Sequence, residues 1–148
     1  MRVFVKAAWF GAALGLATGL AAPNQAIAGC ERPRPVLFSP GAFAAELTGS
    51  VPRGERDCFT IGAAAGQVLS VRQRPGPDNN IVFQLYRPGW KIKHGPDGTD
   101  VLGATLRGAG EGDDARTWSG SLPAKGNYLI VVGTTRGGGE YRILIEIR

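Results

Sequence analysis

From residue 42 onwards the sequence consists of short segments in which apolar and polar residues alternate. In residues 141–147, for example, an apolar side chain falls at every second position, and Asp57 shares a face with Phe59 and Ile61 in another such segment. Turns rich in Gly, Pro, Asn and Asp separate the segments. No segment with helical periodicity is long enough to predict a helix. The chain contains 23 glycines and 10 prolines. This pattern predicts an all-β fold: a single β-sandwich (jelly-roll or Ig-like) of seven to nine short antiparallel strands.

The first 28 residues have the organisation of a secretory signal peptide. A basic start with Arg2 and Lys6 precedes an apolar run from 7 to 22, and Ala26-Ile27-Ala28 supplies small residues for cleavage. The alternative is a membrane anchor, but the apolar run is shorter than the roughly 20 residues that a spanning helix needs. We therefore expect cleavage after Ala28 and a periplasmic or secreted protein with no transmembrane segment.

Removal of this leader leaves 120 of the 148 residues, which is enough for one hydrophobic core and too few for two. We divide the chain into a signal peptide (1–28), an N-terminal extension (29–41) and a β-sandwich domain (42–148). The whole chain has 17 Lys and Arg against 12 Asp and Glu, and the leader holds two of the basic residues, so the mature net charge is +3. This small charge permits an anionic partner without requiring one, and nucleic acid is not expected.

Cys30 and Cys58 are the two cysteines of the chain. In an oxidising compartment an even number of cysteines favours a disulfide, which would attach the mature N-terminus to the body of the domain. The alternative is acylation, because Ile27-Ala28-Gly29-Cys30 resembles a bacterial lipobox. A lipid anchor at Cys30 would leave Cys58 unpaired.

The residue types that catalysis and metal binding need are scarce. His94 is the single histidine, and there is no Gly-x-Ser-x-Gly motif for a nucleophile. One histidine and two distant cysteines do not provide the usual zinc ligands. The acidic turns at 97–100 and 111–114 could offer oxygen atoms to calcium, but they match no calcium loop, and solvated turns are the alternative. We expect a protein without enzymatic activity, metal or cofactor.

One segment combines aromatic and basic side chains on a Pro-Gly turn. Its members are Tyr86, Arg87, Trp90, Lys91, Lys93 and His94. Tyr, Trp and Arg are the residue types that most often anchor interfaces, so the segment is a candidate binding surface. The alternative is a solvated hairpin in which Trp90 folds back over the sheet edge and the lysines protect that edge.

A second segment has a structural signature. Gly126 lies two residues before Tyr128, which starts an apolar strand, and this arrangement resembles a tyrosine corner. Tyr128 would then hold the crossover between the sheets, whereas the alternative is a ring that stacks on a ligand. Trp118 is expected to belong to the core.

Several short motifs follow one another in a familiar order. They are Asp57-Cys-Phe-Thr-Ile61, Ala65-Gly-Gln-Val-Leu-Ser-Val71, Val82-Phe-Gln-Leu-Tyr86, Trp118-Ser-Gly-Ser-Leu-Pro-Ala-Lys-Gly-Asn-Tyr128 and Gly139-Glu-Tyr-Arg-Ile143. Their order, over residues 43–147, resembles the bacterial pre-peptidase C-terminal (PPC-like) domain, a secreted β-sandwich. The stretch from Trp118 to Tyr128 is also similar to the small periplasmic inhibitors of goose-type lysozyme, which share that sandwich.

This resemblance implies a non-catalytic protein of the cell envelope that acts on a partner in trans. The most specific activity that it implies is inhibition of goose-type lysozyme, and the alternative is a PPC-like module that binds glycan or cell wall beside an exported enzyme. In the inhibitor family, a long, arginine-rich loop between the last two strands takes part in blocking the enzyme. Here that loop is only residues 133–139, with Arg136 as its single charged residue, so the resemblance makes Arg136 the candidate contact.

Overall fold

The computed structural model describes residues 29–148, and the predicted signal peptide lies outside the described residues. These 120 residues form ten β-strands and no helix, so they contain no helix with the length and apolarity of a membrane span. The strands are β1 (Arg34–Pro35), β2 (Ala44–Val51), β3 (Asp57–Ala63), β4 (Val68–Gln73), β5 (Ile81–Tyr86), β6 (Lys91–Gly95), β7 (Gly98–Leu102), β8 (Thr117–Ser121), β9 (Gly126–Thr134) and β10 (Gly139–Ile147).

Eight of the strands form two four-stranded sheets, and the other two form a hairpin. Sheet 1 has the order β1-β3-β9-β5, sheet 2 has the order β2-β10-β4-β8, and β6 pairs with β7. The predicted all-β sandwich is confirmed. The two sheets of its described part contain eight strands, within the predicted seven to nine, and the β6–β7 hairpin adds two more. The pairing of β1 with β3 is parallel, whereas all other pairings are antiparallel.

The inner faces of the two sheets form one hydrophobic core. In β10, the alternation places Tyr141, Ile143 and Ile145 inside. Strand β9 differs, because every residue from 128 to 132 is buried. Tyr128, Ile130 and Val132 belong to the sandwich core, and Leu129 and Val131 point to the outer face of sheet 1. A strand that is covered on both faces has a continuous apolar sequence instead of an alternating one.

The β6–β7 hairpin covers that outer face. Leu129 and Val131 form a second cluster with buried Cys30, Cys58 and Tyr86, against which Trp90, Ile92 and Val101 pack. The molecule therefore has three layers at this position: sheet 2, sheet 1, and the hairpin together with the N-terminal segment.

The N-terminal segment is held on sheet 1 by a covalent bond and by backbone hydrogen bonds. Cys30 and Cys58 form a disulfide, with 4.7 Å between their Cα atoms and a sequence separation of 28. β1 then pairs with β3, and the Val36 N–H donates to the Thr60 carbonyl oxygen over 2.8 Å. The predicted disulfide is therefore present. The lipid-anchor alternative is overturned, because acylation would require the Sγ atom that bonds Cys58.

The crossover from β8 to β9 is fixed by Tyr128. Its hydroxyl, on a fully buried side chain, donates to the Ala124 carbonyl oxygen over 2.7 Å and accepts from the Ala124 N–H over 3.2 Å. This bonding is that of a tyrosine corner. Gly126 has φ +149°, and a Cβ there would lie 2.7 Å from the Pro88 Cβ, so the close approach of these two turns requires glycine.

Tyr128→Phe should lower the free energy of unfolding by about 1–2 kcal/mol, since it leaves the Ala124 backbone groups without their partner. Tyr86→Phe is the matched control, because its hydroxyl donates to the Gln84 side chain in a more accessible position and should cost less than about 0.5 kcal/mol. Urea unfolding of the three proteins measures both values. Equal losses would contradict a special role for the corner.

Candidate functional site

One end of the sandwich is built mainly from loops that join the two sheets. β2, β4 and β9 end there, and β3, β5, β8 and β10 begin there. We call this surface the loop end and define it as residues 52–56, 74–80, 113–116 and 135–138. Its loops contact one another, because a Cβ on Gly138 would lie 2.9 Å from the Val51 carbonyl oxygen and 3.3 Å from the Arg53 nitrogen.

The β9–β10 turn at this end is braced by Asn80. The Asn80 Nδ2 donates to the Arg136 carbonyl oxygen over 2.6 Å and to the Gly138 carbonyl oxygen over 2.9 Å. The Thr135 N–H donates to the Asn80 carbonyl oxygen over 2.9 Å, and the Thr134 Oγ1 donates to the Gly137 carbonyl oxygen over 2.6 Å. These bonds fix the backbone of the turn, whereas the Arg136 side chain is exposed.

Among the five arginines of the loop end are three exposed ones on three different loops: Arg53, Arg116 and Arg136. None of the three makes an ion pair within residues 29–148. The other two arginines of the loop end are already engaged. Arg74 pairs with Glu46 at 3.2 Å, and the Arg56 Nη2 donates to the Thr99 carbonyl oxygen over 2.6 Å. The loop end therefore presents guanidinium groups that have no intramolecular carboxylate partner.

Acidic side chains at the same end are partly used in backbone bonds. The Asp78 Oδ2 accepts from the Glu140 N–H over 2.9 Å, and the Asp113 Oδ2 accepts from the Gly110 N–H over 2.8 Å. The described residues contain no group of three or more His, Cys, Asp or Glu side chains that could hold a metal ion. The turn at 111–114 is accordingly stabilised by its own aspartate.

The aromatic members of the predicted segment 86–94 lie in the second cluster. Tyr86 is 8% exposed, and burial raises the pKa of its hydroxyl. Trp90 is half-buried, and its Nε1 donates to the Asn127 carbonyl oxygen over 2.8 Å. The basic members Arg87, Lys91, Lys93 and His94 are exposed. The segment therefore uses its two rings to hold the hairpin on sheet 1 and presents only its charged side chains to solvent.

The structure does not group all of the predicted contact residues. Arg87 follows the end of β5 and lies at the end of the sandwich opposite Arg136, and Lys93 in β6 lies opposite Asp100 in β7. The hairpin tip reaches the β2–β3 turn, beside a polar cleft of about 650 Å³ lined by charged residues of both signs. Trp118, predicted to be structural, packs at the edge of the core and donates from Nε1 to the Arg107 carbonyl oxygen over 2.9 Å.

Sequence reasoning missed two residues that organise this architecture. Asn80 lies in a loop rich in Pro, Gly and Asn, where an asparagine is ordinarily only a turn former. Asp57 is 2% exposed, and it is the one polar or charged residue among the described residues that is buried. The only signal for it was an acidic residue in register with Phe59 and Ile61.

Comparison with known proteins gives a consistent result. No protein-family model matches the sequence, and no curated protein matches it significantly. Among solved structures, PliG of Aeromonas hydrophila, a periplasmic inhibitor of g-type lysozyme, superposes with a TM-score of 0.59 and 30% identity. The match covers 78% of this chain and 95% of that one.

Two further PliG structures share the fold. Those of Salmonella Typhimurium and Escherichia coli (the latter a mutant) have a TM-score of 0.53 each and 21% and 20% identity, and each match covers 77% of this chain and 96% of the other. The inhibitor resemblance is confirmed, and the PPC-like resemblance stays a prediction. At 30% identity over nearly the whole of the Aeromonas protein, this chain belongs to the family of PliG periplasmic lysozyme inhibitors.

Proposed function

We propose that this protein binds and inhibits g-type lysozyme in the periplasm, and that it acts by binding and not by catalysis. The support for this proposal is the relative from Aeromonas hydrophila, whose name gives this activity and this location. The structural match covers 95% of that protein. The observation that carries the proposed site is the β9–β10 turn, where Asn80 holds the backbone and Arg136 extends into solvent.

The chemistry of the target explains why arginine is suited to the contact. Glycoside hydrolases use carboxyl groups beside the scissile bond, so a lysozyme cleft contains acidic side chains. The planar guanidinium of Arg136 can donate two parallel hydrogen bonds to a carboxylate, and such charge-assisted bonds are about twice as strong as neutral ones. No intramolecular ion pair within the described residues has to be broken first.

The braced backbone also favours binding. A loop that is ordered before association loses less conformational entropy when it enters a cleft. The turn is shorter than the arginine-rich loop expected for the family, but its neighbours add to its charge. Arg53 belongs to the turn against which Gly138 packs, and Arg116 belongs to a third loop of the same end.

The alternative function, stacking on a cell-wall glycan through Tyr86 and Trp90, is not favoured by the position of these rings. A stacking ring must expose one face, whereas Tyr86 is 8% exposed and Trp90 packs on the second cluster. The glycan hypothesis is therefore left without the two aromatic residues on which it depended.

Arg136→Ala should weaken inhibition of g-type lysozyme by about 10- to 100-fold, the range for loss of a charge-assisted hydrogen bond. The measurement is the inhibition constant of the oxidised mature protein in a peptidoglycan-lysis assay, repeated with chicken- and invertebrate-type enzymes for selectivity. Arg87→Ala, at the opposite end, is the matched control and should leave the constant unchanged. Absence of inhibition by the wild type at micromolar concentration would remove the proposed function. Equal constants for wild type and Arg136→Ala would remove only the proposed contact.

Asn80→Ala should release the turn without removing Arg136. We expect faster amide exchange over residues 134–138 and inhibition weakened by about tenfold, because ordering the turn would then oppose binding. Asn127→Ala is the control, since Asn127 is an exposed asparagine at the start of β9, far from the turn. Faster exchange with undiminished inhibition would show that the fixed backbone is not needed.

A further inference from the structure

The buried carboxylate of Asp57 has an unusual set of partners. Its Oδ2 accepts from the Tyr141 hydroxyl over 2.6 Å and lies 3.6 Å from the Arg34 Nη2. Its Oδ1 accepts from the backbone nitrogen of Gly29 over 3.0 Å. A buried carboxylate is costly unless hydrogen bonds and opposite charge compensate it, so each of these partners matters.

The two oxygens are compensated unequally. Burial, followed by the hydrogen bond to Asp57, raises the pKa of the Tyr141 hydroxyl, so this group remains a donor at physiological pH. The Arg34 side chain is 41% exposed, and its guanidinium sits at ion-pair distance without a short hydrogen bond, so its compensation of the charge is partial. Gly29 is the one hydrogen-bond donor to Oδ1 among the described residues.

The predicted cleavage after Ala28 also makes Gly29 the first residue of the mature chain. In the uncleaved chain its nitrogen is a neutral amide, and in the cleaved chain the same nitrogen is an ammonium group with three donors. We propose that the α-ammonium of Gly29 is the counterion of Asp57, so that removal of the leader supplies a charge that the folded domain is built to receive. This inference is independent of lysozyme inhibition and rests on the predicted cleavage site.

The disulfide next to this ion pair depends on export as well. Cys30, next to Gly29, is joined to Cys58, next to Asp57. Thiols stay reduced in the cytoplasm and oxidise outside it. Two adjacent residues of the N-terminal segment are therefore fastened to two adjacent residues of β3, the disulfide only after export and the ion pair only after cleavage.

The pH dependence follows from the sign of the interaction. A free α-amino group has a pKa of about 7.7–8.0, and pairing with Asp57 raises this pKa in the folded state. The contribution to stability is then complete below the unfolded value and is lost as pH rises through the folded value. The other charged groups around this position are Arg34 and those lining the adjacent cleft: Glu31, Glu55, Arg56, Lys93, Asp97 and Asp100. The cleft is open to water and holds both signs, so these groups are screened.

The experiment compares two forms of the oxidised mature protein, one with a free and one with an acetylated Gly29 nitrogen. We expect mass spectrometry of the exported protein to give Gly29 as the first residue. NMR titration should place the α-amino pKa at least one unit above its ordinary range, a tenfold gain in proton affinity. The free form should have the higher urea midpoint at pH 7, and this difference should vanish once pH exceeds the raised pKa.

Asp57→Asn in both forms is the matched variant, and it should remove the difference between their midpoints. If this variant does not fold, the titration of the wild type still decides the question. An α-amino group with an ordinary pKa, coincident urea curves for the two wild-type forms, or a mature N-terminus other than Gly29 would each overturn the proposal.

Discussion

The architecture depends on burial of β9 from both sides. Leu129 and Val131 are as inaccessible as Tyr128, Ile130 and Val132 on the other face, so a two-layer sandwich alone would leave half of this strand exposed to water. Burial of each large aliphatic side chain contributes about 1.5–3 kcal/mol. This requirement accounts for the third layer, in which the β6–β7 hairpin and the disulfide-bonded N-terminal segment lie on the outer face of sheet 1.

The same requirement determines which residues can bind a partner. Tyr86 and Trp90 are the aromatic groups that cover β9, so their rings are committed to the interior. The exposed groups that stay free for a contact are charged ones, among them Arg53, Arg116 and Arg136 of the loop end, which make no ion pair within the described residues. Trp90 thus packs on the second cluster and Arg136 is exposed, although both residue types are common in interfaces.

Sequence analysis could predict the sandwich because alternation is a local signal, visible in β2, β4, β5 and β10. It could not predict the sheet order, since β1 pairs with a strand more than twenty residues away and carries no pattern of its own. Arg136 was predicted through a family resemblance, and its contact role stays a prediction. Asn80 was not found, because its bonds reach carbonyl groups 56 and 58 residues along the chain and nothing near it in sequence indicates them. The exposure of Tyr86 was misjudged because the covering of an outer sheet face leaves no local signature.

The order of the strands has a consequence for a chain that crosses a membrane with its N-terminus first. From β1 to β10, consecutive strands of the two sheets alternate between them, so only the β6–β7 hairpin pairs strands that are neighbours in sequence. β10 lies between β2 and β4, and β2 has no other partner in sheet 2. Non-local pairing of this kind makes folding slow. Sheet 2 cannot close until residues 139–147 have emerged. A partly translocated chain therefore stays incompletely folded until its final strand has crossed the membrane.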